Sequence, residues 1–196
     1  MKKLLAGTLV VTMTLALFAA LYGIMGSLSL DSTPIQPVRL QLASGVCSGA
    51  NLGNGYILTA AHCADASADI VADTEKATVV WIDADKDLAL LRAQHDLASK
   101  PVTLSCRPLV VGEPVTTQGH LLDLGVTFAM GYIAGKERTL GAWQIAHIAM
   151  LPIFFGNSGG PVFDDHGRVV AIAVGLIAPP IAIVVPIYPV CSQLPV

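Results

Sequence analysis

Charge is scarce in this chain: Asp, Glu, Lys and Arg make up 13% of its 196 residues, and aromatic residues only 6%, against 54% hydrophobic. A disordered chain has the opposite balance, so a folded protein is expected. Basic residues are short as well. Beyond residue 30 there are nine Lys and Arg against 14 acids, a net charge of −5, which argues against a phosphate-binding surface and excludes nucleic acid as an expected partner. The four cysteines include no Cys-x-x-Cys pair; the nearest two, Cys47 and Cys63, are 16 residues apart. That spacing does not suit a structural zinc site, and no metal is expected. Long amphipathic helical patterns are also missing, which disfavours a parallel α/β sheet. Once the first 30 residues are set aside, one sizeable core is possible but not a second globular domain.

Residues 4–30 hold no Asp, Glu, Lys or Arg and follow Lys2 and Lys3. An apolar stretch of about 20 residues is long enough to span a bilayer, whereas a signal-peptide core is usually about 7–15. No convincing Ala-x-Ala site ends it; Ser27-Leu28-Ser29 is the best candidate. An uncleaved signal anchor over residues 1–30 is therefore favoured over a removed signal peptide. Basic residues stay on the cytoplasmic side, so the two lysines put the amino terminus inside and the remainder outside the cytoplasm. Residues 31–37, with Pro34 and Pro37, read as a short extended linker. Cys47, Cys63, Cys106 and Cys191 all lie beyond it, an even number suited to disulfides in an oxidising compartment.

From residue 38 onward the pattern changes to short apolar runs bounded by turn residues. Strands are expected at 38–42, 56–59, 77–82 and 88–91, and a second series at 114–117, 125–134, 142–148, 161–163, 169–174 and 181–185. The turn-forming Gly53-Asn54-Gly55 precedes the second of them. Many short strands at close spacing predict an all-β fold of antiparallel barrels or a sandwich over residues 38–196.

Three segments carry chemistry. Thr59-Ala60-Ala61-His62-Cys63 ends a strand on a histidine, a side chain suited to exchanging protons near neutrality. Alone, such a histidine is more often structural. Asp87-Leu88-Ala89-Leu90 puts an acid immediately before an apolar strand, where it can fix an imidazole tautomer; a solvated turn is the plainer reading and fits Asp83 and Asp85. Gly156-Asn157-Ser158-Gly159-Gly160-Pro161 surrounds a serine with glycines, so that backbone N–H groups can converge beside its hydroxyl.

Taken together and in this order, the three segments resemble the trypsin-like serine proteases, with Gly55-Tyr56-Ile57-Leu58-Thr59 and the Gly-Asn-Ser-Gly-Gly run most similar to the bacterial HtrA-type peptidases. The resemblance runs from about Val38 to Pro189. It implies two antiparallel six-stranded β-barrels with the active site between them. It also implies Ser158 as nucleophile, His62 as general base and acid, Asp87 as the orienting acid, and the backbone N–H groups of Gly156 and Ser158 as oxyanion donors. A Cys47–Cys63 disulfide is implied too, with Cys106 and Cys191 as the second pair. Asn157 stands where digestive members carry an Asp, and there is no Ile-Val-Gly-Gly-like start, so activation by a freed amino terminus is not expected. Neither is control by a PDZ domain in the same chain.

The expected reaction is hydrolysis of polypeptides without metal or organic cofactor, on the outer side of a membrane that holds residues 1–30. The rival reading is a catalytically idle trypsin-like fold acting as a tethered binding module. The resemblance places the floor of the primary substrate pocket at Pro152 and its wall at Val174, Gly175 and Leu176, which predicts a small apolar residue before the cleaved bond. His147, if it reached the same cleft, would favour an acidic residue instead.

Overall fold

The computed structural model describes residues 35–65 and 69–195. The anchor or signal expected over residues 1–30, and most of the linker after it, lie outside these residues. Among the described residues, no helix is long and apolar enough to cross a membrane.

Six strands form the first half: β1 (Val38–Leu42), β2 (Gly45–Gly53), β3 (Tyr56–Thr59), β4 (Ile70–Ala72), β5 (Glu75–Asp83) and β6 (Leu88–Ala93). They close into an antiparallel barrel in the order β1-β2-β3-β6-β5-β4. Alternation explains β1, whose Val38, Leu40 and Leu42 are buried while Arg39 and Gln41 are not. A tight turn joins β2 to β3 because Asn54 and Gly55 both take positive φ, 49° and 74°, the backbone that two-residue hairpins require. After β3 the chain makes one helical turn, α1 (Ala61–Asp65).

The second half holds β7 (Pro114–Gly119), β8 (Thr127–Ile133), β9 (Arg138–Leu140), β10 (Trp143–Met150), β11 (Pro161–Phe163), β12 (Val169–Ala178) and β13 (Ile181–Pro186). Their order is β13-β12-β11-β7-β8-β10-β9, and β10 also pairs with β13, so the sheet returns on itself. The expectation of six strands in each half is thus corrected. The second sheet has seven, and the addition is β9, a three-residue strand paired only with β10.

One strand belongs to two cores. Ile172 and Val174 of β12 pack with the first barrel's Leu40, Leu58 and Leu90, whereas Val170, Ala171 and Ala173 pack with Val115, Ile133 and Val184 inside the second sheet. Residues 169–174 are accordingly all buried, as expected of a strand with apolar neighbours on both faces. Each fully buried Ile or Val there contributes about 1.5–3 kcal/mol over exposure. β8 behaves oppositely: Phe128, Met130 and Tyr132 alternate outward, and each is about half exposed or more.

Cys47 pairs with Cys63 and Cys106 with Cys191, as the resemblance implies. The second bridge fastens the segment between the sheets to the 3-10 turn Tyr188–Gln193. Because it closes a loop of 85 residues, replacing both cysteines by Ser is expected to lower the unfolding free energy by about 2–5 kcal/mol. Urea unfolding with an unshifted midpoint would contradict this.

Candidate active site

Strand pairing brings the histidine and the acid together. β3 runs antiparallel to β6 with Thr59 opposite Ala89, so α1, which continues β3, starts beside the turn that feeds β6. His62 is in α1 and Asp87 is the last residue of that turn. Asp87 takes a left-handed φ of 52°, a conformation Asp tolerates better than most residues. Its side chain is 10% exposed against 45% for that of His62.

Three donors converge on this carboxylate. The backbone N–H of His62 donates to Oδ1 at 2.9 Å, and its ring Nδ1 lies 2.8 Å from Oδ2. A carboxylate can only accept, so Nδ1 carries the proton and Nε2 is left as a base. The third donor is the indole N–H of Trp143, 2.9 Å from Oδ2. Burial pushes the Asp87 pKa up, but the hydrogen bonds from His62 and Trp143 together outweigh it and hold the carboxyl below its ordinary range.

Ser158 is supplied by the loop between β10 and β11, which backbone bonds tie to both halves. Ser48 N–H of β2 donates to the Ser158 carbonyl at 2.7 Å, and Gly159 N–H donates to Ala173 of β12 at 2.7 Å. Asn157, 2% exposed, accepts from Phe154 N–H through its side-chain oxygen at 3.2 Å. Gly159 must be glycine: its φ is +81°, and an added Cβ would lie 2.0 Å from Thr59 Oγ1 and 2.2 Å from the Ser48 carbonyl.

The same holds for Gly156, with φ +92° and an imagined Cβ 2.1 Å from the His120 carbonyl. Here the reason is orientation. Leu122 N–H donates to the Phe155 carbonyl at 2.8 Å. In a trans peptide the N–H opposes the C=O, so the Gly156 N–H points away from that contact. Ser48 Oγ, fully buried, donates to the Gly156 carbonyl at 2.7 Å and accepts His120 N–H at 2.9 Å. Among the described residues the N–H groups of Gly156 and Ser158 have no protein acceptor.

His62 and Ser158 both line a cavity of about 610 Å³, together with Ile153, Phe154, Phe155, Gly156 and residues 174–176. No hydrogen bond joins Ser158 to His62; what they share is the wall of this cavity. A second cavity, of about 470 Å³, shares His62, Val174, Gly175 and Leu176 with the first and is also lined by Asp87 and Trp143. The expected wall residues Val174, Gly175 and Leu176 therefore face both. Pro152 does not line either cavity. It is exposed, and the buried neighbour Ile153 takes the lining position. His147, 3% exposed, is also absent from both linings; its Nδ1 is 2.9 Å from the Gly135 carbonyl and its Nε2 3.9 Å from Glu137.

Among the described residues two groupings carry metal-ligating side chains, but atoms in each are committed. Cys47 and Cys63 beside His62 share a disulfide, and Asp164, near Asp165 and His166, is held by Arg168 at 2.8 Å. Trp143, Ser48 and His120 were not foreseen. Ser48 and His120 act through hydrogen bonds to segments far apart in sequence, which leave no local signature. For Trp143 the only hint is an amphipathic aromatic opening a strand after Gly141.

Known proteins resemble this chain in sequence and in fold. Residues 43–172 match the family described as a trypsin-like peptidase domain. The chain is 32% identical over 142 residues to Protease Do-like 1, chloroplastic, of Arabidopsis thaliana, covering 64% of this chain and 31% of that one. It is 27% identical over 164 residues to the serine protease Do-like HtrA of Bacillus subtilis, covering 76% and 36%. It thus spans about a third of the length of these relatives. The active form of the Rv3671c protease from M. tuberculosis superposes with a TM-score of 0.72 at 23% identity, over 84% of this chain and 82% of that one. The HtrA-type protease AlgW, solved with a decapeptide, gives 0.65 at 23% identity over 72% and 48%. With the matched family covering well over half of its length, the chain belongs to the trypsin-like peptidase domain family.

Proposed function

We propose that this protein is a serine endopeptidase working through Ser158, His62 and Asp87. The observation that carries the reading is the Asp87-held imidazole of His62 lining one cavity with Ser158. His62 Nε2 takes the Ser158 proton as Oγ attacks the scissile carbonyl, and Asp87 stabilises the imidazolium that results. The N–H groups of Gly156 and Ser158 receive the negative charge on the carbonyl oxygen. His62 then gives its proton to the leaving amine, and water releases the acyl group from Ser158 by the same steps.

The substrate is a polypeptide, with a small apolar residue before the cleaved bond. Support comes from the cavity lining, where Ile153, Val174 and Leu176 contribute apolar surface and no Asp, Glu, Lys or Arg occurs. Residues 4–30 hold the domain at the outer face of a membrane. Their lack of charge supports the anchoring, and the likeness to a probable periplasmic DegP-like endoprotease of Halomonas elongata, 30% identical over 61% of this chain and 27% of that protein, supports a place outside the cytoplasm.

Incubation with a denatured proteome, followed by mapping of new termini, tests both parts. Cuts after Ala and Val are expected. An absence of new termini would overturn the peptidase reading, whereas dominant cutting after Arg, Lys or Glu would overturn the apolar pocket alone.

A further inference from the structure

Two of the three donors to Asp87 come from His62; the third reaches it from the other half of the fold. Trp143 opens β10 after the turn at Gly141, where φ is +57°. Its indole N–H lies 2.9 Å from Asp87 Oδ2, the oxygen that also receives His62 Nδ1. The next residue adds a second hold, since Gln144 N–H donates to the Asp85 carbonyl at 2.9 Å. One dipeptide therefore grips the turn that carries the acid by side chain and by backbone. The turn needs such a hold, because Asp87 sits in a left-handed conformation at the end of a segment rich in charge. The six-membered ring of the indole packs at Gly175: a Cβ there would lie 3.4 Å from Cζ2 and Cη2. The ring thus bridges the acid and the strand edge that walls both cavities.

We propose, resting on the peptidase reading above, that Trp143 is a positioning residue. Its N–H fixes the rotation of the Asp87 carboxylate and shares Oδ2 with the imidazole, so that Asp87 accepts the Nδ1–H in one geometry. A neutral donor on that oxygen also lowers its basicity, which limits how tightly the carboxylate holds the protonated imidazole. Phenylalanine at this position keeps most of the ring and removes the donor.

The test is steady-state kinetics of Trp143→Phe on a short peptide substrate across pH, with folding checked by circular dichroism. The expected result is a kcat lowered about 10- to 100-fold, the usual worth of one hydrogen bond to a charged group, with KM changed less than about threefold. The acid limb of the kcat/KM profile moves to higher pH. A folded variant with wild-type kcat overturns the proposal, and so does a lowered kcat with an unmoved acid limb, which is what a structural role alone would give. If Trp143→Phe does not fold, the indole resonances of the wild-type protein decide. There are two tryptophans, Trp81 and Trp143, and Asp87→Asn is expected to shift one of them; no shift overturns the contact. A wild-type protein without hydrolytic activity overturns the peptidase reading and this one with it. An active wild type with an unaffected Trp143→Phe variant overturns this one alone.

Discussion

Replacing Ser158 by Ala is expected to lower peptide turnover by about 10⁴- to 10⁶-fold while leaving the unfolding midpoint unchanged. The two halves of this expectation have separate causes. Acyl-enzyme formation needs the Ser158 Oγ, which shares the cavity with His62. The loop itself is held by the Ser158 carbonyl, the Gly159 and Gly160 backbone and the Asn157 side chain, none of which involves Oγ. A fluorophosphonate, which phosphonylates activated serines with loss of fluoride, should label the wild type and not the variant. Residual turnover within tenfold of wild type would remove Ser158 from the mechanism.

Asp87→Asn is expected to cost about 10⁴-fold in turnover. The substitution keeps the shape but not the polarity. His62 N–H, His62 Nδ1–H and Trp143 Nε1–H all point at the carboxylate, and an Asn side chain offers one acceptor oxygen while turning an NH₂ toward a donor. Either the imidazole adopts the wrong tautomer or a donor is left unpaired, and the latter destabilises the fold by about 1–3 kcal/mol. The acid limb of stability should change as well. Donors from His62 and Trp143 outweigh burial and keep the Asp87 pKa below that of an unfolded chain. A group depressed in this way stabilises the fold above its unfolded pKa of about 3.9, and that contribution is lost as the pH falls through the lower folded value. In Asp87→Asn this part of the pH dependence disappears. Unfolding curves from about pH 2 to pH 6 that superpose in shape for the two proteins would contradict the role given to the carboxylate.

How much of this was legible in the sequence depended on whether a residue's reason for being there is local. β1, β3 and β11 follow from alternation and apolar runs, and their expected bounds coincide with the observed ones. β2 does not. Its Gly-Val-Cys-Ser-Gly-Ala-Asn sequence has little strand propensity, and it is extended because small residues let it approach other backbone: a Cβ on Gly49 would lie 2.6 Å from Ile57 Cγ2, and Ser48 must reach Gly156. β4 and β9 are three residues each, as β11 is, but neither shows a period or a wholly apolar run with a turn-forming Gly-Gly pair before it. At the site, His62, Asp87 and Ser158 stand in segments whose local pattern is distinctive. The pocket was harder. Counting back from Ser158 gives Pro152, but a chain in a tight loop presents side chains by its turns, and Ile153 is the one that faces in.

The double burial of β12 bears on how selectivity in this domain can be altered by engineering. Val174 wedges into the shared core at 2% exposure, so enlarging or shrinking it disturbs packing as much as substrate fit. Gly175 has the Trp143 ring 3.4 Å from where a side chain would begin. Leu176 is only partly buried, lines both cavities and rests on the edge of the second core. On the proposed assignment of the substrate pocket, a library aimed at new cleavage preferences should therefore be concentrated at residue 176, where the cavity lining can be recontoured while the scaffold beneath keeps its shape.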